Sequence, residues 1–279
     1  MIDGNEIKGG ELVKRHRLTT RVWHWINAVA IIVLLMSGLM ISNAHPQLYW
    51  GHYGANTDVP WLRIGWFIEG GRFPGWATIP STYNLALARH WHMFFAWVFA
   101  IGFLAWLIVS LINRHIQRDL VLSPAEIAPK HILEEVVHHA KLQFPTGAAA
   151  LRYNTLQKIT YVVVLFVLIP LLIVTGICMQ PGMSPLMGWA IDLMGGRQSA
   201  RSIHFICAAL VTLFIVVHLL LVLLAGPYNE IRSMVTGNFR IPKDRPAKAA
   251  ILKRKNTTVY FFFWHIACRA AYCYCITSF

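Results

Sequence analysis

Four histidines of this chain stand where an imidazole is costly to place. His24, His92, His204 and His218 all fall within runs that hold no Lys, Arg, Asp or Glu. Such runs occupy residues 22–42, 91–112, 159–179 and 203–225, and the third contains no histidine. An ionisable side chain in hydrocarbon must find a partner, so an intramembrane histidine is a functional candidate by default. Its chemistry is ligation: a neutral imidazole offers one ring nitrogen to a metal while the other donates a hydrogen bond. A single histidine bonded between two helices is the ordinary structural alternative, and it weakens when four are arranged together.

The elements that carry these residues are read from where charge is missing. The four runs are 21, 22, 21 and 23 residues long. Crossing ~30 Å of hydrocarbon takes about 20 helical residues. Hydrophobic residues make up 56% of the 279-residue chain and charged residues 13%. Soluble domains usually carry about 25% charged residues, so composition excludes an ordinary soluble enzyme and a disordered chain. The spacing predicts an all-α, integral membrane four-helix bundle over residues 1–242, with spans at 22–42, 91–112, 159–179 and 203–225.

The net charge of +13 follows from topology. Nineteen basic residues lie in residues 1–21, 113–158 and 226–256, against five in the two connections 43–90 and 180–202. The positive-inside rule then places the N-terminus and residues 226–256 in the cytoplasm. No nucleic-acid partner is expected, because the basic residues are divided among segments separated by spans. The first apolar run is too long for a cleaved signal core and reads as a retained anchor.

Depth pairs the histidines. With the N-terminus inside, His24 lies at the cytoplasmic end of the first helix, while His92 and His204 lie at the outer ends of the second and fourth. His218 is fourteen residues past His204, ~21 Å deeper and ~40° short of four full turns. The two therefore project from nearly one face. This matches His92 with His204 and His24 with His218. Zinc takes four ligands at one point, which that separation forbids. Two haem b groups, each with two axial imidazoles from facing helices, suit it. His90 competes with His92, but two residues are about 200° apart on a helix, and His92 is the one inside the run.

Arg21, Arg89 and Arg201 each precede one of these histidines by three residues, one helical turn away. They are candidate partners for anionic haem propionates; flanking charge at a helix end is the alternative. Gly38, Gly102 and Gly176 would admit a flat ring or close helix packing. Pro170 implies a kink in the third helix, which offers no histidine and reads as a scaffold. Asn229, Glu230 and Arg232 are candidate quinone contacts just after the fourth run.

The connections add less. Residues 43–89 are rich in Trp, Tyr, Phe, Gly and Pro, as an interfacial aromatic belt or a partner-docking face would be. The stretch from Pro129 reads as an amphipathic surface helix, with His138 and His139 solvated. The five cysteines form no C-x-x-C pair. Residues 243–279 form a basic linker and a hydrophobic tail, either a fifth span or a stretch of different origin.

The stretch Arg17-Leu-Thr-Thr-Arg-Val-Trp-His24-Trp, the sequence Arg89-His-Trp-His92 and the His204-x13-His218 spacing together resemble the bacterial di-haem cytochrome b family. That family includes the cytochrome b subunits of nickel-iron hydrogenase, formate dehydrogenase and thiosulfate reductase. The resemblance spans roughly residues 14–242. It implies a four-helix core, two b haems, electron exchange with a membrane quinone and an extracytoplasmic redox partner. The stretch from Gly226 to Gly237 is similar to members paired with molybdopterin oxidoreductases. Catalysis of substrate chemistry would then belong to the partner, since no paired carboxylates, nucleophile–base motif or phosphate loop occur here. A stand-alone membrane oxidoreductase, acting on superoxide or ferric iron with the same haems, is the alternative. A divalent-metal transporter would want intramembrane carboxylates, which the runs lack.

Overall fold

The computed structural model describes residues 10–55, 57–140 and 154–241. The C-terminal tail expected over 243–279 lies outside the described residues. So do the side chains of His138 and His139.

Four long helices dominate: α1 (Leu18–Ala44), α2 (Leu85–Ile112), α4 (Thr155–Met179) and α6 (Arg197–Ala225). Each is long and apolar enough to cross a membrane. They outrun the charge-free runs mostly at their N-termini, where polar turns extend the helix past the hydrocarbon. Caps define two of those starts. Asn84 accepts the Leu87 N–H ahead of α2. Asn154 and Gln157 form a reciprocal capping box ahead of α4, satisfying backbone donors that a helix start leaves orphaned.

The helices pack closely as two pairs, α1 with α2 and α4 with α6. Ala30, Phe99, Phe103, Val164, Leu168, Ile169, Cys207 and Val211 join both pairs in one buried cluster. The outward faces stay apolar and uncovered: Ile101 is 62% exposed and Leu223 63%. That arrangement fits lipid rather than water.

Gly102 explains the closeness of α1 and α2. A Cβ there would fall 2.5 Å from the Trp23 ring. In α4, a π turn over Val164–Leu168 opens the helix just before Pro170. Proline has no N–H and its ring would meet the carbonyl one turn back, so the wider turn absorbs the misfit.

The small elements close the two ends of the bundle. At the His24 end, β1 (Leu12–Lys14) pairs antiparallel with β4 (Asn238–Arg240), and α7 (Pro227–Thr236) lies just before β4. Arg15 joins Glu230 at 3.2 Å and covers the Phe239 ring at 4.4 Å. At the other end, β2 (Gln47–Leu48) pairs with β3 (Leu62–Arg63), and a short α5 (Gly188–Leu193) precedes α6. The loop after β2 reaches α6: the Gly51 carbonyl accepts from the N–H groups of Gln198 and Ser199.

The amphipathic segment forms α3 (Pro129–Ala140). It rests on the start of α4, where His131 Nε2 lies 3.0 Å from Thr155 Oγ1. Leu133, Val136 and Val137 remain exposed.

Candidate cofactor site in the helix bundle

His92 sits in the second turn of α2 and faces Ser37 of α1, with His92 Nδ1 3.0 Å from Ser37 Oγ. His204 sits in the second turn of α6 and faces Thr175 of α4, with His204 Nδ1 2.9 Å from Thr175 Oγ1. The two rings approach each other with centroids 6.3 Å apart and planes 60° apart. His90, by contrast, is exposed.

Each half of this site repeats the other. Gly38 follows Ser37 and Gly176 follows Thr175. A Cβ on Gly38 would lie 3.6 Å from His92 Cε1, and one on Gly176 3.5 Å from His204 Cε1. Those are ordinary contacts, so the imidazoles alone do not demand glycine there. Arg89 and Arg201 stand three residues before the two histidines and converge on one residue, His45, at the C-terminus of α1. Arg89 Nη2 lies 3.2 Å from His45 Nε2, and Arg201 donates to the His45 carbonyl. Burial, then the charges of Arg201 and Arg89, push the His45 imidazole below its usual range.

At the opposite end of the bundle lie His24, in the second turn of α1, and His218, two turns before the end of α6. The His218 ring stacks on Phe214, centroids 5.9 Å apart, and His24 meets Trp25 edge-on at 5.2 Å. Buried polar atoms of α1 are left without protein partners here: Arg21 Nε, His24 Nδ1 and Asn27 Oδ1. The three residues are spaced by three and follow one stripe of the helix. Buried polar groups are normally satisfied, so this stripe suits a bound group with polar edges. Just outside α1, His16 is pushed down to about 4, first by burial and then by Arg15, His24 and Arg21.

The donor set fits haem at the His92 end. A metal held between two opposed imidazole nitrogens at ~2.0 Å from each sets ring centroids ~6 Å apart. Among the described residues, no three His, Cys, Asp or Glu side chains gather to hold an ion. Two histidines alone suit a metal that brings its other four ligands in a macrocycle.

The sequence expectations meet this geometry unevenly. His92 and His204 are brought together, while His24 and His218 share the other end of the bundle. Arg89 and Arg201 lie together at His45, while Arg21 lies at the other end beside Gly237. Asn229, Glu230 and Arg232 are engaged within the chain: Arg232 donates to Asn229 at 2.7 Å, Asn229 to the Arg240 carbonyl at 2.8 Å, and Glu230 accepts from Arg15. The third long helix is more than a scaffold, because it brings Thr175 to His204. Ser37 and Thr175 escaped sequence reasoning. The signal was a repeat: Ser-Gly in α1 and Thr-Gly in α4, each followed in its partner helix by Arg-x-x-His.

A family model described as prokaryotic cytochrome b561 matches residues 15–237. A probable Ni/Fe-hydrogenase B-type cytochrome subunit of Cupriavidus necator is 24% identical over 87% of this chain and 93% of its own length. YedZ1 of Azospira oryzae, described as a protein-methionine-sulfoxide reductase subunit, is 23% identical over 77% of this chain and 92% of its own length. The cytochrome YdhU of Escherichia coli is 26% identical over 83% of this chain and 76% of its own length. With four membrane-length helices and a family match over most of its residues, the chain belongs to the prokaryotic cytochrome b561 family, membrane proteins that use b-type haem in electron transfer.

Proposed function

We propose that this chain is the membrane cytochrome b subunit of a redox complex, moving electrons between a quinone pool and an extracytoplasmic oxidoreductase. His92 and His204 hold one b haem, and His24 and His218 hold a second. Haem iron supplies one-electron chemistry by changing valence. The observation that carries the reading is the 6.3 Å separation of the His92 and His204 rings, with each Nδ1 already engaged by a neighbouring helix.

The chain's own residues would orient and tune what they hold. Arg89 and Arg201 lie one turn from the ligands and would pair with propionates, drawn together by His45. Arg21, with its unpartnered Nε, would do the same at the His24 end. The bundle excludes water and so sets the potentials by burial. The positive-inside pattern supports a cytoplasmic N-terminus in the inner membrane, which puts the His92 site outermost. The names of the relatives support a hydrogenase-like or sulfoxide-reductase-like partner, and the Gly226–Gly237 stretch supports a molybdopterin-dependent one.

Purified protein in detergent tests this. A reduced-minus-oxidised spectrum with a b-type band, and reduction of that band by an added quinol, are expected. Absence of the band refutes the reading. Turnover of superoxide or ferric iron by the isolated chain would instead favour a stand-alone enzyme.

A further inference from the structure

We propose that Ser37 and Thr175 are positioning residues, which bind the Nδ1 protons of His92 and His204 and thereby turn both Nε2 lone pairs toward one shared iron. The proposal rests on the reading that these two histidines ligate a haem.

The polarity of each bond follows from the hydroxyls. Ser37 donates to the Val33 carbonyl at 2.6 Å, and Thr175 donates to the Leu171 carbonyl at 2.6 Å. A hydroxyl has one hydrogen and two lone pairs. In a helix that hydrogen commonly goes to the carbonyl four residues back, as it does in both helices here. Only lone pairs remain for the imidazoles at 3.0 and 2.9 Å, so the rings are the donors. A neutral imidazole carries one ring proton. With it on Nδ1, Nε2 is free to ligate.

The same socket is built twice, on helices far apart in sequence. The Leu34 carbonyl also lies 3.2 Å from Ser37 Oγ, and the Leu172 carbonyl 3.3 Å from Thr175 Oγ1. Each is three residues before the hydroxyl, and a glycine follows each hydroxyl. An incidental contact has no reason to recur with this register. An acceptor on the distal N–H makes an imidazole a stronger electron donor, which favours ferric over ferrous iron.

The test is a potentiometric titration with electron paramagnetic resonance on the full chain. Ser37→Ala and Thr175→Val should each retain haem content while shifting one haem about threefold toward ferrous, ~28 mV upward on the scale of 59 mV per tenfold. Its low-spin ferric signal should move with it, and the other haem should stay put. Ser37→Thr and Thr175→Ser should return to the native potential. Ser42→Ala, which removes a hydroxyl bonded to the Gly38 carbonyl, is the control. Unchanged potential and signal in Ser37→Ala and Thr175→Val, or an equal shift in Ser42→Ala, overturns the proposal. If Ser37→Ala loses haem outright, a Ser37→Thr protein at the displaced rather than the native potential also overturns it. Failure of the ligand reading is separate: His92→Ala and His204→Ala proteins would then keep every haem.

Discussion

His92 and His204 meet from different helix pairs, their ring centroids 6.3 Å apart and their planes inclined by 60°. Neither ring is within bonding distance of the other, yet each is anchored from behind through Nδ1. His90, two residues from His92, is exposed. His90→Ala should therefore leave the haem content unchanged, while His92→Ala should lose one haem per chain in a pyridine haemochromogen assay. Loss on His90→Ala would show that the wrong neighbour has been assigned.

Glycine at 102 should matter for packing and glycine at 38 should not. A Cβ at 102 falls 2.5 Å from the Trp23 ring, whereas one at 38 falls 3.6 Å from His92 Cε1. Trp23 has little room to yield, since it stacks on Trp106 at 6.3 Å. Gly102→Ala should cost about 1–3 kcal/mol, the usual range for overpacking, and lower the thermal unfolding midpoint. Gly38→Ala should unfold near the native temperature when both proteins are compared without haem. Equal midpoints for the two variants would contradict this packing.

Glu126 should titrate as a bound carboxylate. Lys158 Nζ donates to its Oε1 at 2.7 Å, and the Ser123 N–H donates to Oε2 at 2.8 Å. These bonds, the lysine first, hold its carboxyl down at about 2. A depressed acid lends stability above its ordinary value of 4.5 and loses it as pH falls toward about 2. In Lys158→Met, the Glu126 carboxyl should titrate closer to its ordinary value by carbon NMR. No movement would mean that the pair is not formed in solution.

Some of this was legible in the sequence for physical reasons. Helices that face lipid must lack charge along their length, so their existence can be counted from residue types alone. Depth along a helix is arithmetic, which is why His204 and His218 could be assigned to opposite ends. Ser37 and Thr175 were not legible in the same way, because a hydroxyl in a spanning helix ordinarily satisfies itself on its own backbone. Both do so here, and only the tertiary fold reveals the second contact. His45 was hidden because it lies just past the first run, and its meaning depends on Arg89 and Arg201 arriving from two other helices. Asn229, Glu230 and Arg232 looked free in sequence. The β1–β4 pair that draws them into internal bonds is too short to read from a residue pattern.

The central claim is that the bundle grips two haems through four histidines. The most direct measurement is haem per chain in the purified native protein beside His204→Ala and His218→Ala, two variants of the same helix. The account predicts two haems in the native protein and one in each variant, with different haems lost, as their distinct potentials will report. One haem in the native protein, or the same haem missing from both variants, would contradict it.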